Sequence, residues 1–328
     1  MRNATNRYDS ISDPLLRVVD LKTWFPVKRG FFSRTAAYVR AVDGVSLEIR
    51  RGEVLGLVGE SGCGKTTLGR TLLGLEKASK GDILIDGRSL RQFTSGEMNR
   101  LRQRVQVIFQ DPLSSLNPRM TVIDIITEGL VQFKKIEVSK AAHAKRLLAE
   151  VGLSEDALYR FPHEFSGGQR QRISIARAIS LRPELVICDE AVSALDVSIQ
   201  AQVVNLLKSL QARHHLSLLF ISHDLSVVSN IADRTAVMYL GRIVESGNTA
   251  DIVRAPLHPY TSALIAAVPV PGVSRRERII LKGEIPSALS PPSGCRFHPR
   301  CPEAMPICSR HEPAVSSVDG REVVCHLY

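Results

Sequence analysis

The run Gly59-Glu60-Ser61-Gly62-Cys63-Gly64-Lys65-Thr66-Thr67 constrains this chain more than any other feature. It fits G-x-x-x-x-G-K-[ST]. The apolar run VLGLV at 54–58 precedes it, and TTLGRTLLGL, with apolar residues at helical spacing, follows. Strand, glycine loop and helix in that order open a parallel nucleotide-binding sheet. The glycines let backbone N–H groups close on phosphate oxygens, and the helix start adds a favourable dipole. Lys65 is placed to reach the β- and γ-phosphates, and the Thr66 hydroxyl to ligate Mg²⁺. Residues 59–67 are therefore the expected ATP contacts, with Cys63 lending backbone rather than side chain. A glycine-rich turn that merely looks like a phosphate loop would not need that strand and helix.

A second element lies in LVICDE. Asp189 ends an apolar strand and suits Mg²⁺, directly or through water, and Glu190 beside it can polarise an attacking water. Carboxylates are common after strands, but paired with a phosphate loop they indicate a P-loop ATPase. The rest of the chain agrees with an α/β fold. Residues 15–55 read as strands broken by a basic loop at 26–40, and GDILIDG (81–87) and VQVIF (105–109) read as further strands, the latter buried. LVIC (185–188) and SLLFIS (217–222) are continuous apolar runs, as central parallel strands require. VSIQAQVVNLLKSLQARH between them reads as a crossover helix, residues 122–159 as a polar helical segment, and TAVMYLGRIVESG as a hairpin turning at Gly241-Arg242.

Charge and cysteine usage bound the partners. Lys and Arg exceed Asp and Glu by 43 to 33 in 328 residues, a net charge of +10. Such a surface attracts nucleotides, nucleic acid or anionic lipid without choosing among them. The start, MRNATNRYDSISD, lacks the apolar core of a secretory signal, and the longest apolar stretches fall short of the ~20 residues that span a bilayer. The chain is expected in the cytosol, with any membrane role supplied by partners. After about residue 271 the composition shifts to Pro, Ser, Gly and Cys, which divides the chain into a body at 15–271 and a tail at 272–328. Cys295, Cys301, Cys308 and Cys325 crowd that tail. In a reducing cytosol they suit an iron–sulfur cluster, zinc or plain structural roles, and the spacing lacks the paired C-x₂-C knuckles typical of zinc. His298, His311 and His326 nearby read as solvated.

Phe165-Ser166-Gly167-Gly168-Gln169-Arg170-Gln171-Arg172 resembles the signature of ABC-type nucleotide-binding domains, and the resemblance extends in order over nearly the whole chain. It implies a P-loop NTPase fold carrying an antiparallel β subdomain and a helical subdomain at about 115–165. It also implies that Ser166, Gly167, Gly168 and Gln169 contact the ATP of a second subunit, since the helix start they open is an anion site. Gln110 matches the Q-loop glutamine, a Mg²⁺ and water contact alongside Thr66 and Asp189. Asp196 in SALD matches the D-loop, His223 the switch histidine, and Phe25, or else Trp24, the ring that stacks on adenine. Glu190, His223 and Gln110 are thus the expected catalytic set. One departure is Ala191, where the family usually has proline.

The flanking words FPVKRGFF, SSLNPR, DEAVSALDVSIQAQV and HPYTSALIAAVP resemble the F-type ATPases of oligopeptide/dipeptide importers. That implies an ATPase powering peptide uptake from the cytoplasmic face of the bacterial inner membrane. Its implied partners are a paralogous ATPase in a head-to-tail dimer, two transmembrane permeases and an extracytoplasmic solute-binding protein, with no nucleic acid. Some members hold a [4Fe–4S] cluster in a matching tail. The alternatives are import of another small solute, such as nickel or glutathione, and a soluble ABC ATPase acting on nucleic acid or ribosomes.

Overall fold

The computed structural model describes residues 14–29, 34–267 and 283–328. The expected boundary at 271 and the centre of the basic loop at 26–40 lie outside the described residues. The strands among those residues are β1 (Leu16–Arg29), β2 (Arg34–Ile49), β3 (Val54–Val58), β4 (Lys80–Ile85), β5 (Arg88–Ser89) and β6 (Val105–Ile108). They continue with β7 (Leu185–Asp189), β8 (Ser217–Ser222), β9 (Arg234–Tyr239), β10 (Arg242–Asn248), β11 (Ser316–Val318) and β12 (Arg321–Val323).

The main sheet has the order β11-β12-β10-β9-β3-β8-β7-β6, and its strands from β9 to β6 run parallel. β3, β7 and β8 are buried along their whole length. Their continuous apolar runs follow from having a core on each face. Val54, Val58, Val186, Cys188, Leu218 and Phe220 enter one cluster, while their neighbours Leu55, Leu57, Leu185, Ile187, Leu219 and Ile221 enter the other. That is the period of two expected of a strand covered on both sides. Each such side chain contributes about 1.5–3 kcal/mol by leaving water. β6 departs from its expected burial: as the outer strand it fully buries Ile108 alone.

The second sheet is antiparallel, in the order β2-β1-β4-β5. It sends Leu21, Val45 and Ile49 into the same cluster as Leu68 and Leu72 of helix Lys65–Leu72, so it is packed against the helix that follows the glycine loop. The Thr23 and Thr71 hydroxyls, 3.0 Å apart, add a polar tie between β1 and that helix. A group of helices, Val122–Gln132, Lys140–Glu150 and Gly167–Ile179, packs beside the main sheet. The first of these is less polar than expected, because Val122, Ile123, Ile125, Ile126 and Leu130 all turn inward.

β9 and β10 form the expected hairpin, with Tyr239 opposite Arg242. Its turn is Leu240-Gly241, one residue earlier than the glycine suggested. Both residues have positive φ, 43° and 81°, the two-residue geometry that matches strand twist. The tail joins the body through sheet pairing: Glu245 of β10 lies opposite Val323 of β12, and β11 pairs in turn with β12. Among the described residues no helix is long and apolar enough to cross a membrane.

Candidate active site

The carboxyl ends of the parallel strands carry the predicted chemistry on one edge of the sheet. The glycine loop follows β3, Gln110 lies two residues past β6, Asp189 ends β7, and His223 follows β8. Ligands of open α/β sheets bind at this edge.

Backbone constraints explain the loop's composition. Gly64 has φ +109°, and a Cβ there would stand 2.0 Å from the Ala41 carbonyl oxygen. At Gly59 a Cβ would meet the Met238 carbonyl oxygen at 2.1 Å. Helix Lys65–Leu72 begins at Gly64 with no side-chain cap, leaving its first N–H groups for an anion. Lys65 is almost fully buried, with its ammonium donating to the carbonyls of Gly59 (2.7 Å) and Glu60 (2.9 Å). It lies over the loop at the place where phosphates would arrive. Burial pushes the Cys63 thiol up, against the pull of the Lys65 charge, so this cysteine is a packed loop residue rather than a nucleophile.

Thr66 donates its hydroxyl to Asp189 Oδ1 at 3.0 Å. Burial raises the Asp189 pKa, and the Glu190 charge adds to the rise, while the Thr66 hydrogen bond and the Arg70 and Lys65 charges oppose it. A carboxylate desolvated in this way, beside a hydroxyl oxygen, is suited to a hard divalent cation, whose charge would offset both effects.

Glu190 is only 12% exposed and sits at φ +47°, a left-handed conformation that a non-glycine residue adopts at some cost. The turn is held without the family's proline: Glu190 N–H donates to the Ile221 carbonyl at 3.0 Å, and the Ser193 hydroxyl donates to the Glu190 carbonyl at 3.0 Å. In this pose its carboxylate accepts from Gln110 Nε2 at 2.8 Å and lies 3.6 Å from His223 Nδ1. Residues following two strands, β6 and β8, thus converge on the carboxylate that follows β7.

Two further predicted groups form a second, exposed feature. Ser166 caps helix Gly167–Ile179 by accepting the Gln169 N–H at 3.3 Å, while the Gln169 side chain accepts the Ser166 N–H at 3.0 Å. Asp196 begins helix Val197–His214 without bonding its N–H groups through the side chain. The two helix starts pack together, since a Cβ on Gly168 would come within 2.6 Å of Ile199 Cγ2. Ser166, Gly167, Gln169 and Asp196 all face solvent. On β1 the Trp24 ring is committed, donating its indole N–H to Asp43 at 3.0 Å with Arg40 stacked over it at 5.4 Å. Phe25 beside it is the exposed ring.

The C-terminal part of the chain brings residues to the loop that the motifs did not reveal. Arg300 donates Nη1 and Nη2 to the two Glu60 carboxylate oxygens, at 2.7 and 3.0 Å. The Tyr260 hydroxyl accepts the Glu60 N–H at 2.9 Å. Tyr260 belongs to the word HPYTSAL, which carried the resemblance without an assigned task.

The iron–sulfur expectation finds no support in the geometry. Cys295, Cys301, Cys308 and Cys325 lie in one region, and Cys295 N–H donates to the Cys308 carbonyl at 2.7 Å. Even so, among the described residues no three Cys, His, Asp or Glu side chains are grouped to hold a metal ion. Cys308 Sγ is turned into its own short helix, accepting the Met305 N–H at 3.5 Å. Burial raises the other three thiols, Cys301 to about 11, and the nearness of the cysteines to one another adds to the rise. Of the nearby histidines, His298 Nδ1 lies 2.9 Å from the Cys295 carbonyl and His326 Nε2 lies 2.9 Å from that of His311.

Comparison with known proteins bears on the whole chain. The "ABC transporter" family model matches residues 42–193, and the "Oligopeptide/dipeptide transporter, C-terminal region" model matches residues 244–308. The oligopeptide transport ATP-binding protein AppF of Bacillus subtilis is 49% identical over 322 residues, covering 96% of this chain and 98% of that protein. OppF of Escherichia coli, also named an oligopeptide transport ATP-binding protein, is 49% identical over 318 residues, 95% of each chain. Among solved structures, cbiO1 of Clostridium perfringens, part of the ABC transporter complex cbiONQ, matches with a TM-score of 0.63 at 26% identity, over 74% of this chain and 92% of that one. The ATP-binding cassette MJ0796, solved as a dimer with ADP and Pi, matches in fold with a TM-score of 0.63 at 24% identity, over 71% of this chain and 98% of that one.

Proposed function

This chain belongs to the ABC transporter ATPases, in the branch with the oligopeptide/dipeptide transporter C-terminal region, and we propose that it hydrolyses ATP to power uptake of short peptides. The observation that carries the hydrolytic reading is the convergence of Gln110 and His223 on the Glu190 carboxylate, beside the Thr66–Asp189 pair and the glycine loop. The peptide cargo rests on the relatives' names and the tail match.

In this reading Phe25 stacks on adenine, and the N–H groups of residues 59–67 receive the phosphates. Lys65 exchanges its two loop carbonyls for β- and γ-phosphate oxygens. Thr66, Asp189 and Gln110 fit a Mg²⁺ ion, which neutralises phosphate charge when bound. Glu190 orients and polarises the attacking water, with Gln110 and His223 holding its carboxylate in place. Positioning and charge stabilisation around the γ-phosphoryl then do most of the work. Ser166, Gly167 and Gln169, with Asp196, are exposed, and Gly168 is half-buried between them, where a second ATPase subunit would bring its own nucleotide. Hydrolysis therefore calls for a head-to-tail pair, of this chain with itself or with a paralogue. In this reading the chain acts at the cytoplasmic face of the membrane, bound to two permeases fed by a solute-binding protein.

Extraction of the tagged full chain from native membranes tests this directly. The expected result is recovery with two multi-spanning proteins and a second ATPase, and peptide uptake that stops when the chain is deleted. Recovery with ribosomes or nucleic acid and no membrane protein would overturn the transport reading while leaving the ATPase intact.

A further inference from the structure

The phosphate loop is fastened from behind by the C-terminal region, at several points. Arg300 grips both oxygens of the Glu60 carboxylate, and its side chain is only 7% exposed. The Tyr260 hydroxyl, on a fully buried ring, takes the Glu60 N–H. The Gly241 N–H donates to the Cys63 carbonyl at 2.8 Å, and the Leu240 carbonyl in that turn accepts from Arg296 Nη1 at 2.6 Å. Aromatic packing makes these anchors rigid: the Tyr260 ring stands 4.7 Å from Tyr239 and 5.4 Å from Phe297. Arg296 also pairs with Asp43, in an ion pair buried on both sides.

Glu60 poses a problem that Arg300 answers. A carboxylate inside a loop built to receive polyphosphate repels the ligand unless something neutralises it and turns it away. Bidentate pairing with a guanidinium does both, and a lysine cannot reproduce that fork. We propose that Arg300 is a positioning residue for ATP binding: it holds and neutralises Glu60, so that the tail sets the affinity of the phosphate loop for nucleotide. The proposal rests on the ATPase reading above. It gives the C-terminal region a part in the site itself, with Arg300 and Tyr260 the side chains that transmit it.

The test is ATP binding to the purified full chain by calorimetry, with KM and kcat measured on the same preparations and thermal melting as a check on folding. Arg300→Ala should weaken ATP binding about tenfold, the size expected of one uncompensated charge within a Debye length of the polyphosphate. KM should rise in step, while kcat at saturating ATP stays within about twofold, because Arg300 touches no reacting atom. The same substitution in a Glu60→Gln background should change ATP binding by less than about twofold, since the charge it restrains is gone. Arg300→Lys, which keeps the buried cation but loses the fork, should fall between wild type and Arg300→Ala, and carries the comparison if the alanine variant does not fold. Unchanged affinity in the Arg300 variants would overturn the proposal, as would equal losses in the wild-type and the Glu60→Gln backgrounds. Failure of the unaltered chain to bind ATP would instead overturn the ATPase reading.

Discussion

Burial alone pushes the His258 imidazole down from 6.5 to about 4. The ring is 1% exposed, tilted against Phe297 at 5.6 Å, and its Nδ1 accepts the Tyr260 N–H at 3.0 Å to cap helix Pro259–Ala266. The residue therefore sits at the root of the Tyr260 contact with the phosphate loop. Because its pKa is lower in the folded chain than in the unfolded one, the unfolded chain binds the extra proton between those two values. Stability then rises with pH across that window. The contribution is complete above about pH 6.5 and is lost as the pH falls toward 4. Integrating proton uptake between pH 7 and pH 5 gives a loss of about 2 kcal/mol from this one residue, a sizeable part of a domain's net 5–15 kcal/mol. His258→Asn removes the titration and keeps an oxygen able to cap the helix. Urea unfolding of both proteins at pH 5, 6 and 7 cancels the other titrating groups. The wild type should lose about 2 kcal/mol more than the variant between pH 7 and 5. Parallel pH profiles would refute the reasoning and show that the ring is already reached by water.

At the catalytic edge, Glu190→Gln keeps an oxygen that can accept from Gln110 but loses the base. Turnover should fall by about 10²–10⁴ with ATP affinity retained in a binding titration. Gly64→Ala puts a methyl group against the Ala41 carbonyl at φ +109°, so both ATP binding and the melting temperature should drop, with a stability cost of at least about 1–3 kcal/mol. Ser166→Ala removes half of a capping box and should cost about 1 kcal/mol of stability. The same variant should abolish ATP-dependent pairing of subunits, measured by size-exclusion chromatography with nucleotide, if Ser166 faces the partner's ATP.

What could be read in advance and what could not divides along sequence distance. The glycine loop, the strand-end carboxylates and the capping box of Ser166 are local devices. Their residue types are dictated by φ angles, helix starts and strand periodicity within a few positions, so their geometry can be anticipated before any contact is known. Gln110 and His223 are both remote from Glu190 in sequence and were singled out only through the family resemblance; the structure shows that each follows a parallel strand, so the sheet brings them together. The contacts of the C-terminal part of the chain have no such guide. Glu60 meets Tyr260 across 200 residues and Arg300 across 240, and no periodicity reports which arginine of a Cys-rich segment folds back on a loop. The spacing of the cysteines is silent on packing for the same reason. Their spacing counts thiols along the chain but not the direction of each Sγ, and Cys308 gives its sulfur to its own backbone turn. The hairpin turn shows tertiary structure overriding local preference outright. Leu240, a residue with no liking for positive φ, takes φ 43° with a side chain 2% exposed, and its carbonyl is gripped by Arg296. Motif residues therefore mark where the chemistry is proposed to happen. The side chains that hold them in place must be found from the packing, and here they come from the far end of the chain.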